Sequence, residues 1–232
     1  MNEYRPARTL SYLSIGGLAL QGFAHLFSLF IGIALVIDPN RTVDLGTGPP
    51  TNIWVGILGL IALIQFPAYI FTVVVFLMWI FRICKYLEIS SAYPLEASPG
   101  LAVGYWFIPF ANLVKPYQTV RDAWLGSEPD TLDGEDIFTP VKGGAPMWML
   151  GWWLLWILAN IASNVSNAVT RSLDTLDNAG YFLIVEGVIW VGATLLAIRV
   201  VLDITERQTE RFARIGRPSV SAPPPPPTFD AG

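Results

Sequence analysis

Hydrophobic and polar positions alternate along this chain in blocks, not residue by residue. Four long apolar blocks stand out, over about 10–37, 53–83, 146–169 and 180–202. Each reaches the roughly 20 apolar residues that a helix needs to cross the hydrocarbon of a bilayer. Asp38-Pro39-Asn40 closes the first block. The loop from Arg41 to Thr51, with Gly46, Gly48, Pro49 and Pro50, is turn chemistry without a strand pattern. Pro67, near the middle of the second block, predicts a kink. Arg5 and Arg8 precede the first block, which has no small-residue cleavage site after it and exceeds the roughly 7–15 residues of a signal-peptide core. It therefore reads as a retained signal anchor.

Between the second and third blocks, Ser98 to Trp124 fits no simple class. Ser98 is a helix cap and Pro99 suits the first helical position, where its missing N–H costs nothing. Gly100 follows, then an apolar run from Leu101 to Phe110 that Pro109 interrupts. Asn112, Lys115 and a second helix opener, Pro116, come next. The run 99–114 is too short to span and too apolar for an ordinary loop. The pattern predicts a helix broken near Pro109 that dips into the membrane or lies on its surface. Leu101, Val103, Trp106, Phe107 and Phe110 would pack against the ends of the spans. Asn112 would satisfy main-chain groups freed by the break. From Pro116 onward, Tyr117, Val120 and Trp124 share one helical face, with Gln118, Arg121 and Asp122 elsewhere. That predicts an amphipathic helix on the membrane surface, ended by Gly126, with Lys115 and Arg121 reaching anionic headgroups.

The predicted architecture is an all-α integral membrane protein. It has four transmembrane helices, a broken re-entrant or interfacial segment over 98–126, and a cytoplasmic amphipathic helix between spans two and three. The membrane domain covers 1–208. Residues 209–232, with Pro223 to Pro227 in sequence, form a cytoplasmic Pro-rich disordered tail. A polar helical continuation of the fourth span through Thr205–Arg214 would carry i,i+4 pairs among Glu206, Arg207, Glu210 and Arg211. The acidic stretch Ser127–Ala145 reads as a flexible linker.

Composition supports this reading. Of 232 residues, 53% are hydrophobic and 14% charged, against about 25% charged in soluble domains. The single cysteine, Cys84, excludes an internal disulfide framework and a cysteine-cluster metal site. No long basic run points to nucleic acid. Of the 14 Lys and Arg, only Arg41 and Arg171 fall on one side of a four-span arrangement. The positive-inside rule then places both termini in the cytoplasm of a multi-pass cell-membrane protein. Trp79 with Arg82, and Trp148, Trp152, Trp153 and Trp156, read as anchors at headgroup level.

The motif S-P-G at Ser98, followed by W-F-I-P-F-A-N-L-x-K-P-Y-Q-x-x-R-x-x-W from Trp106 to Trp124, resembles the core of a family of bacterial membrane proteins. That family is known as domain of unknown function 4328. Trp79-Ile80-Phe81-Arg82, Gly151-Trp152-Trp153 and Ile204-Thr205-Glu206-Arg207-Gln208 are similar to its outer landmarks, so the resemblance runs from Arg8 to Gln208. It implies a multi-span bacterial membrane protein and brings no activity or catalytic residue. The motif positions with a structural or functional role are Pro99, Gly100, Trp106, Pro109, Asn112, Lys115, Pro116, Tyr117, Arg121, Trp124 and Arg82.

Polar groups inside apolar spans are costly and invite a functional reading. His25 and Glu186 are the ionisable candidates, as proton or ligand sites. The bland alternatives are a packing histidine and a carboxylate that reaches the outer headgroups. Gln21, Gln65, Asn160 and Asn164 would join helices to one another. No G-x-S-x-G, H-E-x-x-H or phosphate-binding loop occurs. The sequence nominates no enzyme activity, catalytic residue, metal ligand or cofactor. Two readings remain. The first is a structural, interaction or assembly component of the envelope, meeting partners through the cytoplasmic helix or the Pro-rich tail. The second is a small-solute transporter or channel using segment 98–116 and Glu186.

Overall fold

A computed structural model describes residues 7–38, 42–43, 51–90, 95–128, 144–172 and 179–215. The acidic linker beyond Glu128 and the proline run lie outside these residues. The apolar blocks form α1 (Arg8–Ile37), α2 (Ile53–Ser90), α5 (Met147–Ser172) and α6 (Ala179–Ile215). Four helices are therefore long and apolar enough to cross a membrane, over Arg8–Ile37, Gly59–Glu88, Met147–Ser166 and Gly180–Ala213. Pro67 lies inside α2 without ending it. The ends of the first loop pinch together in a two-residue antiparallel ladder, β1 (Thr42–Val43) with β2 (Thr51–Asn52). Turn chemistry alone was expected there.

α1 and α6 form the main seam, and glycine sets its closeness. A Cβ placed on Gly180 would lie 2.8 Å from the carbonyl oxygen of Gly32, and one on Gly187 would lie 2.9 Å from Leu29. Small residues let helix backbones approach where no hydrophobic effect drives them together. α5 packs on α6 and α2 on α1, whereas α2 and α5 share no comparable seam. The helices thus form an arc, α2–α1–α6–α5, open between its outer members.

The core lies at the end of the bundle that holds the start of α1 and the end of α6. There Ile80, Ile83, Leu87, Val120, Ala123, Met149, Val200 and Ile204 are buried together. α6 runs on to Ile215, so the expected polar continuation through Arg214 is helical and takes in 209–215. This extension binds the other elements. Trp79 Nε1 donates to Thr205 Oγ1 at 3.1 Å, Gln208 Nε2 to the Ile83 carbonyl at 3.2 Å, and Arg8 Nε to Thr209 Oγ1 at 3.3 Å. Arg207 and Arg211 both reach across to Glu128. Arg207 pairs with its carboxylate, and Arg211 donates to its carbonyl at 3.0 Å. Glu128 is accordingly anchored, not part of a free linker.

The connecting segment holds α3 (Pro99–Gly104), a 3-10 turn at Ala111–Leu113, and α4 (Lys115–Gly126). Ser98 caps α3 by accepting from the Leu101 N–H at 3.4 Å, and Pro99 opens it. α3 ends at Gly104, before the predicted break at Pro109. A residue preceding proline is pushed out of the helical region, and the ring of Pro109 would clash with the carbonyl of Tyr105. The chain reaches Pro109 through looser turns, and Phe110 then takes a φ of 63°. Val103 and Trp106 pack inward as predicted. Leu101, Phe107 and Phe110 stay exposed, Phe110 at 87%.

α4 is not a helix with one wet face. Pro116, Thr119, Val120, Asp122, Ala123 and Gly126 are all buried, because α2, α3, α5 and α6 surround it. Its cations have protein partners. Lys115 pairs with Glu96 at 3.5 Å and Arg121 with Asp122 at 2.8 Å. The tryptophans expected as anchors turn into the protein. Trp79, Trp152 and Trp153 are core residues, and Trp148 lies under the guanidinium of Arg199 at 4.4 Å.

Candidate functional site

The gap between α2 and α5 is a cleft of about 620 Å³, backed by α1 and α6. Each helix presents a stripe at three- to four-residue spacing, which places those side chains on one face. α1 offers Leu18, Gln21 and His25; α6 offers Glu186, Trp190, Ala193 and Ala197. α5 contributes Trp152, Trp156, Asn160 and Ser163, and α2 contributes Gln65, Tyr69, Thr72 and Phe76. One end is floored by the broken segment through Trp106, Phe107 and Asn112.

Trp106 closes that floor. Its ring meets Phe76 of α2 at 5.5 Å, and Trp153 and Trp156 of α5 at 5.7 and 5.8 Å, each edge-on. Edge-to-face contact is a favoured aromatic geometry. One side chain thereby bridges two helices that share no comparable seam.

The polar groups of the spans converge on the cleft. Ser163 Oγ donates to Glu186 Oε1 and accepts from Trp190 Nε1 at 3.0 Å. The His25 ring is stacked on Trp190, with centroids 5.0 Å apart and planes 3° from parallel. Glu186 therefore faces into the bundle, and the expectation that it reaches outer headgroups does not hold. A hydroxyl on the neighbouring helix holds it there. Gln65 Nε2 lies 3.5 Å from Gln21 Oε1, a long contact between α2 and α1. Asn160 and Asn164 do not join helices, since their amides donate to the carbonyls four residues back, of Trp156 and Asn160.

Asn112 was expected to repair the broken backbone, and it does not. The main chain there largely satisfies itself, through Asn112 N to Ile108 O at 2.9 Å and Val114 N to Ala111 O at 3.1 Å. The Leu113 carbonyl is met by Trp153 Nε1 at 2.9 Å. Asn112 Oδ1 is buried without a hydrogen-bond partner and borders the cleft.

The remaining motif residues serve the packed end. Pro99 and Pro116 are buried helix openers, while Gly100, Pro109 and Arg82 are exposed. Tyr117 and Trp124 pack on the core, with Arg207 over the Trp124 ring at 3.6 Å. Tyr105 and Tyr117 do not line the cleft. Ser163 and Trp190 were missed by the sequence reading. Their signal was positional: Trp156, Asn160 and Ser163 share one face of α5, and Glu186 and Trp190 are one turn apart on α6.

The model of the family described as Domain of unknown function (DUF4328) matches residues 51–206. The chain belongs to this family. The DUF4328 match takes in α2, the broken segment, α4, α5 and most of α6, so it starts later than the resemblance from Arg8 and leaves α1 outside. Gln21 and His25, which back the cleft, are thus contributed by a helix beyond it. Neither curated proteins nor solved structures give a match.

Proposed function

We propose that this protein binds a small solute inside the bilayer and carries it across, as a multi-pass transporter of the bacterial cell membrane with both termini cytoplasmic. One observation supports the reading. Gln21, His25, Gln65, Asn112, Asn160, Ser163 and Glu186 come from four helices and the broken segment, yet all border one open cleft. Polar groups in a bilayer interior are expensive, and in membrane proteins they mark substrate and ion pathways. A broken element at one end of such a cleft is where transporters place sites and gates. The reading contains no catalytic step, metal or cofactor.

The envelope-assembly reading also has an observation behind it. α4 is clamped on several sides by α2, α6 and Glu128, as a rigid element offered to a partner would be. One experiment separates the two. Cys84 is the single cysteine, so Cys84→Ser gives a clean background for Ser163→Cys and Asn112→Cys. The variants are reconstituted in vesicles and treated with a membrane-impermeant maleimide from either side. Transport requires labelling of Ser163→Cys from the outer side and of a fraction of Asn112→Cys from the cytoplasmic side. No labelling of either position from either side would mean a lipid-filled cleft and return the protein to the assembly class.

A further inference from the structure

We infer that the cleft is built for a hydrophobic organic cation, with Glu186 as its counter-charge. This rests on the proposed binding reading and names the chemistry of the ligand. Among the described residues, Glu186 is the sole carboxylate on the wall, and no lysine or arginine lines the cleft. Ser163 is its hydrogen-bond partner, through one carboxylate oxygen. A cationic ligand would give this carboxylate the charge partner that the wall lacks.

The rest of the wall selects the kind of cation. Trp190 meets the same hydroxyl that holds Glu186, and Trp156, Phe66 and Phe76 extend the aromatic surface along the cleft. Aromatic faces attract cations and also supply apolar area. Calcium prefers roughly six to eight oxygen ligands, and magnesium a near-ideal octahedron. The amide oxygens of Gln65, Asn112 and Asn160 sit on different elements, and one carboxylate does not make such a cage. A volume of about 620 Å³ instead suits a drug-sized molecule, within the roughly 300–1,000 Å³ of ligand pockets. The gap between α2 and α5 would admit an amphiphile sideways from the lipid.

Tetraphenylphosphonium tests this, with tetraphenylborate as a probe of the same shape and opposite charge. Binding of each to purified full-length protein is measured by equilibrium dialysis, for wild type, Glu186→Gln and Glu186→Asp. Thermal unfolding of each variant checks that it folds. The cation should bind at least tenfold more tightly than the anion. Glu186→Gln should lose at least tenfold of the cation affinity with unfolding unchanged, and Glu186→Asp should retain most of it. Equal binding of both probes, or cation binding indifferent to Glu186→Gln, would overturn the inference. So would absence of cation binding by a protein whose Ser163→Cys variant is labelled from water, and in that case the broader transport reading would stand. If neither Ser163→Cys nor Asn112→Cys is labelled, both fail.

Discussion

The indole of Trp153 in α5 donates a hydrogen bond to the main-chain carbonyl of Leu113, 40 residues earlier, at 2.9 Å. The broken segment is thereby fastened to a span through a carbonyl freed by its irregular path. Removing a partner from such a group costs roughly 1–3 kcal/mol. Trp153→Phe keeps the ring and loses the donor, so its thermal unfolding in detergent should come at lower temperature. Asn112→Leu should be neutral or stabilising, because Asn112 Oδ1 has no hydrogen bond to lose. The reverse order of the two variants would show that Asn112 carries the structural load.

The α1–α6 seam tolerates no side chain at its closest point. At Gly180 a Cβ would approach Gly32 O to 2.8 Å, and the neighbour there is backbone, which cannot rotate away. Gly180→Val should lower stability by about 1–3 kcal/mol or more, as overpacking does. Gly16→Ala faces open space inside α1 and should leave stability unchanged or raise it by up to about 1 kcal/mol. A Gly180→Val variant as stable as wild type would place the seam elsewhere.

Four spans, the capped start at Ser98 and the stop at Gly126 were legible because length, hydropathy and capping are local properties. The inward turn of Trp79, Trp152 and Trp153 was not. A tryptophan at a span end reads the same whether it meets headgroups or the protein, and here partners far off in sequence decide it: Thr205 for Trp79 and Trp106 for Trp153. Asp122 misled for a similar reason. Helical spacing removes it from the Tyr117–Val120–Trp124 face, yet a helix packed against four others buries residues on more than one face. His25 and Glu186 stood out singly as ionisable groups. Their shared cleft was invisible because it depends on which helices neighbour which.

Orientation can be checked directly. The twelve cations on the side of the termini predict that reporter fusions at Thr47 and Asp174 read outside, and those at Asp133 and the C-terminus read inside. An outside signal at Asp133 would sink this topology.

Asp122 is buried, its side chain only 4% exposed, beside Arg121. Desolvation pushes its carboxyl above the ordinary carboxylate value and the Glu96 charge adds to this, while the hydrogen bond and charge of Arg121 and the charge of Lys115 pull it back. The folded state thus holds the proton to higher pH than the unfolded chain does. Its contribution is greatest at low pH and declines as pH rises through the folded value. Asp122→Asn does not titrate, so its unfolding temperature should vary less with pH across that interval. A wild-type protein that gains stability over the interval relative to Asp122→Asn would reverse the sign and refute the assignment.

Under the proposed transport reading, Trp106 would serve as the gate. It fills the floor of the cleft between α2 and α5, touching Phe76, Trp153 and Trp156, and its Nε1 is buried without a partner. Its hold on the floor is therefore aromatic contact, which can be released without breaking a hydrogen bond. Trp106→Phe keeps a ring and should leave stability nearly unchanged. Trp106→Ala removes the bridge, at a cost of up to about 3–5 kcal/mol for a large aromatic truncated to alanine. The informative readout is accessibility. In the Cys84→Ser, Ser163→Cys background, Trp106→Ala should raise maleimide labelling from the cytoplasmic side severalfold, and Trp106→Phe should not. If Trp106→Ala folds and labelling stays confined to the outer side, the barrier lies deeper, at Trp152 and Ala197, and Trp106 is a packing residue alone.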